Sequence, residues 1–326
     1  MAKDVTDVGA SVRARLLNLA RKTGQSHELL LTRYALQRLL YRLTQTKHAE
    51  RFVLKGAMLM TTWFDDPHRP TRDIDLLGFG DPRPDAMLEV FREVCSIREN
   101  DGVEFDLDKL EVTANRENLA YGGVRLQTYA IFTGSRAQTR IVIDIGFGDS
   151  VEPGVEELAL PVLLDQPQPH LRGYARETVV AEKFQAMVML GQANSRLKDY
   201  YDLWLLARSY EFDPHRLAEA IAGTFRRRGT PIQTDVPDGL KREFYEDRAK
   251  TSQWRAFIDD VAVDPGSLAD VAAVLSDFLM PAARAAATLT GGADGDAADG
   301  RPGRPANSDA DDGARPTPIQ SGTRPS

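Results

Sequence analysis

The sequence predicts an α+β protein, and three observations carry that prediction. Helical periodicity opens the chain, strand-like runs fill its middle, and helical periodicity returns from about residue 176. The 326 residues are 42% hydrophobic and 27% charged, a globular composition with ample length for a core.

In residues 7–22 and 27–45 apolar side chains recur at helical spacing, and in the second segment Leu36, Leu39, Leu40 and Leu43 follow Leu29. The two helices are expected to cap the first strand, Phe52, Val53 and Leu54. A Lys55-Gly56 turn follows, and a helix opens at Ala57, whose free backbone N–H groups suit an anion. The stretch RDIDLLGF then reads as a strand that continues apolar on both faces, as a covered strand does. A helix over about 84–95 leads to three strand-like runs, VEFDLDKLEVT, GVRLQTYAIFTG and TRIVIDIGFG, separated by turn residues. The segments ETVVAEKFQAMVML and SRLKDYYDLWLLARSY are helical, and 210–285 hold further helices with a Pro- and Gly-containing break near 229–239. Beyond about 287 large apolar side chains nearly vanish, so 288–326 is expected to be a disordered tail, unable to offset its ordering entropy.

The chemistry is concentrated at Asp73-Ile74-Asp75. Residues two apart on a strand share a face, and paired carboxylates so held can grip Mg²⁺, which takes hard oxygen ligands and substrate phosphates. An Asp-x-Asp pair alone is commonly a solvated turn, but here a close-approach glycine, Gly56, precedes it. Asp144 lies inside an apolar run, where a charge is costly unless paired or bound to metal; a strand-end aspartate reaching solvent is the alternative. Lys183 falls in line with Val179, Met187 and Leu190, so its ammonium either snorkels from an apolar face or meets a phosphate. Asp199 and Asp202 share one helix face, where pairing with Arg196 or Lys198 is the plain structural alternative.

Several classes are disfavoured. No run of 18 apolar residues and no signal-peptide apolar region occurs, so no membrane partner and a cytoplasmic location are expected. The single cysteine, Cys95, excludes an internal disulfide, and the five histidines lack metal spacing. A net charge of −7 argues against a general nucleic-acid coat, although Arg13, Arg15, Arg21 and Lys22, then Arg33, Arg38 and Arg42, and later Arg226, Arg227, Arg228, Lys241 and Arg242 form local basic clusters.

The pieces LLLTRYALQRLLYRL, FVLKGAMLM, RPTRDIDLLGFG, IVIDIGFGD, ETVVAEKFQAMV and RLKDYYDLWLLA, in this order over roughly residues 29–207, resemble the AbiEii-type nucleotidyltransferase toxins, including the mycobacterial MenT group, of the polymerase-β-like superfamily. The resemblance implies a bilobed protein: a nucleotidyltransferase lobe with its N-terminal helical cap over 1–170, built on a mixed sheet flanked by helices, and a helical C-terminal lobe over 171–287. It implies Asp73, Asp75 and Asp144 as ligands of Mg²⁺, with two ions expected, and an NTP as substrate. Lys55, Gly56 and Lys183 would receive the triphosphate, with Asp199 and, less firmly, Asp202 as the last acidic motif. Asp73, Asp75, Asp144 and Lys183 form the expected catalytic set. Where the wider superfamily often has a serine after the glycine, this chain has Ala57, leaving phosphate contact there to backbone amides. The resemblance further implies transfer of NMP to an RNA 3′ end, with the tRNA acceptor stem foremost, and restraint by a cognate antitoxin. Thr71 matches a hydroxyl that antitoxins of MenT-like relatives phosphorylate, with Arg69 and Arg72 near it in sequence. Other expectations left open are transfer to a small molecule or a protein hydroxyl, and an NTP-binding regulator without turnover.

Overall fold

The computed structural model describes residues 7–64, 71–114 and 122–291. Two helices, α1 (Val8–Thr23) and α2 (His27–Thr44), open the fold, each capped by a side chain that satisfies a first-turn amide: Asp7 for α1 and Ser26 for α2. Then come β1 (Phe52–Lys55), the single-turn α3 (Gly56–Met60), β2 (Ile74–Gly78), α4 (Pro84–Ser96), β3 (Val103–Phe105), β4 (Glu111–Ala114), β5 (Gly123–Phe132), β6 (Gln138–Phe147), β7 (Val155–Ala159) and β8 (His170–Tyr174). The C-terminal region is helical: α5 (Arg176–Leu190), α6 (Leu197–Ser209), α7 (Pro214–Arg227), α8 (Arg242–Tyr245), α9 (Arg248–Ile258) and α10 (Leu268–Gly291).

The strands form one mixed sheet in the order β3-β5-β6-β2-β1-β8-β7, with β4 also paired to β5. The β2–β6 and β1–β8 pairs are parallel and the others antiparallel. On β5 and β6 the pattern is strict: Val124, Leu126, Ala130, Phe132, Ile141, Ile143 and Ile145 are buried, while the alternate Arg125, Gln127, Tyr129, Val142 and Asp144 stand on the other face. Helices α1, α2 and α4 lie against this sheet.

The structure corrects several expectations. VEFDLDKLEVT is two strands, because the Asp106 side chain accepts from the amides of Asp108 and Lys109 and turns the chain between them. The sheet gains β7 and β8, which had no strand expectation, and β8 runs across residue 170, where a lobe boundary was expected. Residues 288–291 belong to α10, and the rest of the expected tail lies outside the described residues. Leu268–Thr290 is long and apolar enough to cross a membrane by length and composition, yet Leu268, Val271, Leu275, Leu279 and Ala283 are buried, with α6 and α7 packed against it, as in a core helix.

The arginines of α2 serve the interior. Arg42, with its side chain 1% exposed, makes a two-pronged pair with Asp101 at 2.7 and 3.0 Å and donates to the carbonyls of Ile97 and Val103, while Arg38 donates to that of Pro167. Arg33 is buried as well. These three therefore present no basic face to a nucleic acid. Farther along, Arg226, Arg227 and Arg228 bond to Glu152, the Gly148 carbonyl and Asp149.

Candidate active site

The sheet builds the site by register. Lys55 on β1 lies opposite Asp75 on β2, Asp75 beside Asp144 on β6, and Asp144 opposite Arg125 on β5. Directly paired residues share a face, so these four side chains form one transverse row with charges plus, minus, minus, plus. Asp73 immediately precedes β2. Two residues before Asp75, it stands at the same side of the row.

Gly56 is required by this row. Its φ is +70°, and a Cβ added there would lie 2.7 Å from the Asp75 Cγ, so any side chain would push the carboxylate out of place. The close approach that the structure shows at Gly56 is that of Asp75, where the resemblance implies a triphosphate. Helix α3, which Gly56 opens, has only five residues, too few for the developed dipole of the expected anion site.

Burial, with the neighbouring charges of Asp73 and Asp144, lifts the Asp75 carboxyl to about 6, against the pull of Lys55 and Lys198. Crowded acids in a low-dielectric setting suit a cation. Among the described residues no three His, Cys, Asp or Glu side chains converge into a ready-made cage. Mg²⁺ keeps waters and substrate phosphates in its shell and takes one or two carboxylates from the protein, a number that Asp73 and Asp75 could supply. Asp144 is gripped by the Arg125 fork at 2.8 and 2.9 Å. A carboxylate offers about four lone-pair sites, so the fork orients Asp144 without exhausting it. Arg125 had no role in the sequence reading, yet Asp144 was recognisable as a charge in need of a partner.

Both lysines expected to receive the triphosphate are engaged in ion pairs. The Lys55 ammonium sits 2.8 Å from Asp149, 3.4 Å from Glu182 and 5.5 Å from the centre of the Tyr174 ring. Burial alone would discharge it, but Glu182, Tyr174 and Asp149 hold it charged, well above its usual range. Arg228 closes this cluster on Asp149 and Glu182 at 3.0 and 2.9 Å, and Lys55 and Arg228, against burial, hold the Asp149 carboxyl down at about 2. Lys183 donates to Asp199 at 2.6 Å and Asp202 at 2.8 Å, and Arg196 donates to Asp199 at 2.7 Å. The two aspartates are 2% and 1% exposed. Lys55 ties the sheet to α5 and to the loop after β6, and Lys183 ties α5 to α6. For Asp199 the pairing with Arg196, foreseen as the structural alternative, is what the fold shows. Thr71 is buried at 5% exposure, and its expected neighbour Arg69 lies outside the described residues.

A cavity of about 650 Å³ opens at Asp73. Its walls come from β2's entry (Arg72, Asp73), the start of α6 (Arg196, Lys198) and α9 with the turn after it (Gln253, Phe257, Asp260). Such a volume suits a nucleotide-sized ligand. The sequence reading named Lys198 only as a possible partner of Asp199; its place one residue before the last acidic motif was the available signal.

Comparison with known proteins supplies the family. The family described as "Nucleotidyl transferase AbiEii toxin, Type IV TA system" matches residues 38–286. No curated protein matches the chain. Among solved structures, JHP933 from Helicobacter pylori shows 13% identity and a TM-score of 0.48, covering 82% of this chain and 97% of its own. A second H. pylori protein, assigned as a nucleotidyltransferase, shows 16% identity and a TM-score of 0.48 over 81% and 98% of the two chains. With the family match spanning most of its length, the chain belongs to the AbiEii nucleotidyltransferase toxins of type IV toxin–antitoxin systems.

Proposed function

We propose that this nucleotidyltransferase moves an NMP from an NTP to the 3′ hydroxyl of an RNA, with the tRNA acceptor stem as its target, and so blocks translation until a cognate antitoxin intervenes. The observation that carries the catalytic part is the charged row Lys55, Asp75, Asp144 and Arg125, with Gly56 pressed on Asp75 and Asp73 at the cavity mouth. The RNA acceptor rests on the family resemblance.

Asp73 and Asp75 would hold Mg²⁺, with Asp144 as a further oxygen donor. When bound, the metal supplies charge neutralisation for the triphosphate and acidifies the attacking hydroxyl. The protein's share is positioning. Arg125 fixes the Asp144 carboxylate, which receives the proton of the acceptor hydroxyl. The acceptor oxygen forms its bond to the α-phosphorus in line with the bridging oxygen, whose bond breaks as pyrophosphate leaves. No covalent enzyme intermediate is required.

Incubation with Mg²⁺, each α-labelled NTP in turn and total RNA tests this reading. Label in a tRNA-sized band is expected. Label on protein or on a small molecule alone would replace the acceptor, and absence of any transfer with NTP bound would favour a regulator.

A further inference from the structure

The walls of the cavity, taken element by element, differ in chemistry. The entry to β2 and the start of α6 supply three cationic side chains, Arg72, Arg196 and Lys198, all exposed. Lys198 makes no ion pair among the described residues, and its charge reaches Asp75. On α9 and the turn beyond it stand Phe257, Gln253 and an acid, Asp260. Phosphates are attracted to the cations and repelled from the acid.

The α9 wall has the chemistry of a base site. Phe257 is half-buried and held by the rings of Tyr201, at 5.7 Å and 76°, and Trp254, at 5.8 Å and 42°, so its position is fixed before any ligand arrives. Aromatic faces stack on bases with little regard to sequence. Gln253 lies one helical turn earlier, on the same face of α9. Its side chain is exposed, and its amide has no hydrogen-bond partner among the described residues. An amide offers a donor and an acceptor together, matching the edge of a nucleobase.

We propose that Phe257 stacks on the nucleobase of the NTP, that Gln253 reads its edge, and that Lys198 holds the triphosphate toward Asp73, with Arg196, whose Nε is bound to Asp199, adding positive charge. NTP choice is therefore set by α9, in the C-terminal region, while the chemistry belongs to the sheet. This inference rests on the nucleotidyltransferase reading and adds to it the residues that select and orient the donor.

Equilibrium dialysis of the full chain with ATP, CTP, GTP and UTP separately, without RNA, tests it, alongside melting temperatures. Phe257→Leu should weaken all four by about tenfold, the scale of one lost base stack. Gln253→Ala should change the ranking of the four, with the preferred NTP losing most. Lys198→Ala should weaken NTP binding about tenfold or more, as loss of a charged hydrogen bond does, and leave binding of the matching nucleoside unchanged. If folded Gln253→Ala and Phe257→Leu variants bind every NTP as the parent does, the base site is elsewhere and the inference fails while the nucleotidyltransferase reading stands. If the parent binds no NTP, both fail.

Discussion

Removing the Lys183 ammonium should unfold the protein more readily, and acid should partly repair the damage. In Lys183→Ala two hydrogen bonds, at 2.6 and 2.8 Å, disappear, and two carboxylates whose side chains are 3% and 1% exposed lose their shared cation. Arg196 still reaches Asp199 at 2.7 Å, but both carboxylates lose the cation that joins them. Breaking a buried pair by deleting one partner costs about 3–5 kcal/mol. For a domain of this size, at about 2–4 °C per kcal/mol, the melting temperature should drop by about 10 °C. The pH dependence carries the sharper test. In the parent, burial would raise the Asp199 carboxyl, yet Lys183 and Arg196 hold it below its ordinary range. Its stabilising effect is therefore present above the usual carboxylate range and is lost only as pH falls through that depressed value. Without Lys183 the sign reverses, because buried acids with raised pKa values are relieved as pH falls. Scanning calorimetry from neutral pH to about 5, where such acids begin to take up protons, should show the gap between variant and parent narrowing. An unchanged melting temperature with a raised KM for NTP would refute this and return Lys183 to a phosphate.

Gly56→Ala should lose about 1–3 kcal/mol and most transfer activity, since it combines left-handed backbone strain with overlap on Asp75; an unaltered urea midpoint and rate would show that the turn can relax. The Cys95 thiol is 4% exposed and burial pushes its pKa up to about 12, so it should resist alkylation in the native protein and react in urea; fast native labelling would contradict the packing around α4. Thr71→Ala should remain an active transferase, and Thr71→Glu, which puts a charge at a buried position two residues before Asp73, should be inactive and less stable. Because Thr71 is buried, its phosphorylation by an antitoxin requires the entry to β2 to open; mass spectrometry of neutralised toxin lacking phosphate at Thr71 would exclude that route.

The parts of the site legible in the sequence are those made by neighbours along the chain or by strict periodicity. Gly56 and Asp75 lie on adjacent elements, and the alternation of β5 and β6 marks Asp144 as a charge on a strand needing a partner. Arg125, which supplies that partner, is 19 residues away, and only strand pairing reveals it. Lys55 meets Asp149 and Glu182 from 94 and 127 residues away, so its engagement could not be read locally. Strands β7 and β8 were missed because they are short and carry Glu156, Glu157, His170 and Arg172 where an apolar run would have signalled them. The arginines of α2 misled in the opposite sense. A helical basic row normally faces solvent, but Asp101 and a set of carbonyls draw Arg38 and Arg42 inside. The cavity at Asp73, assembled from three separated segments, left only Lys198 beside Asp199 as a hint.

The central claim is transfer of a nucleotide to an RNA 3′ end by the Asp73 and Asp75 carboxylates. It is tested most directly by mass spectrometry of the 3′-terminal fragment of tRNA after incubation with the protein, Mg²⁺ and NTPs. The parent protein should add the mass of NMP to that fragment, and Asp75→Asn, with an unchanged fold, should add none. A 3′ fragment of unaltered mass under conditions where the parent consumes NTP, or an Asp75→Asn protein that still extends the tRNA, would contradict the account.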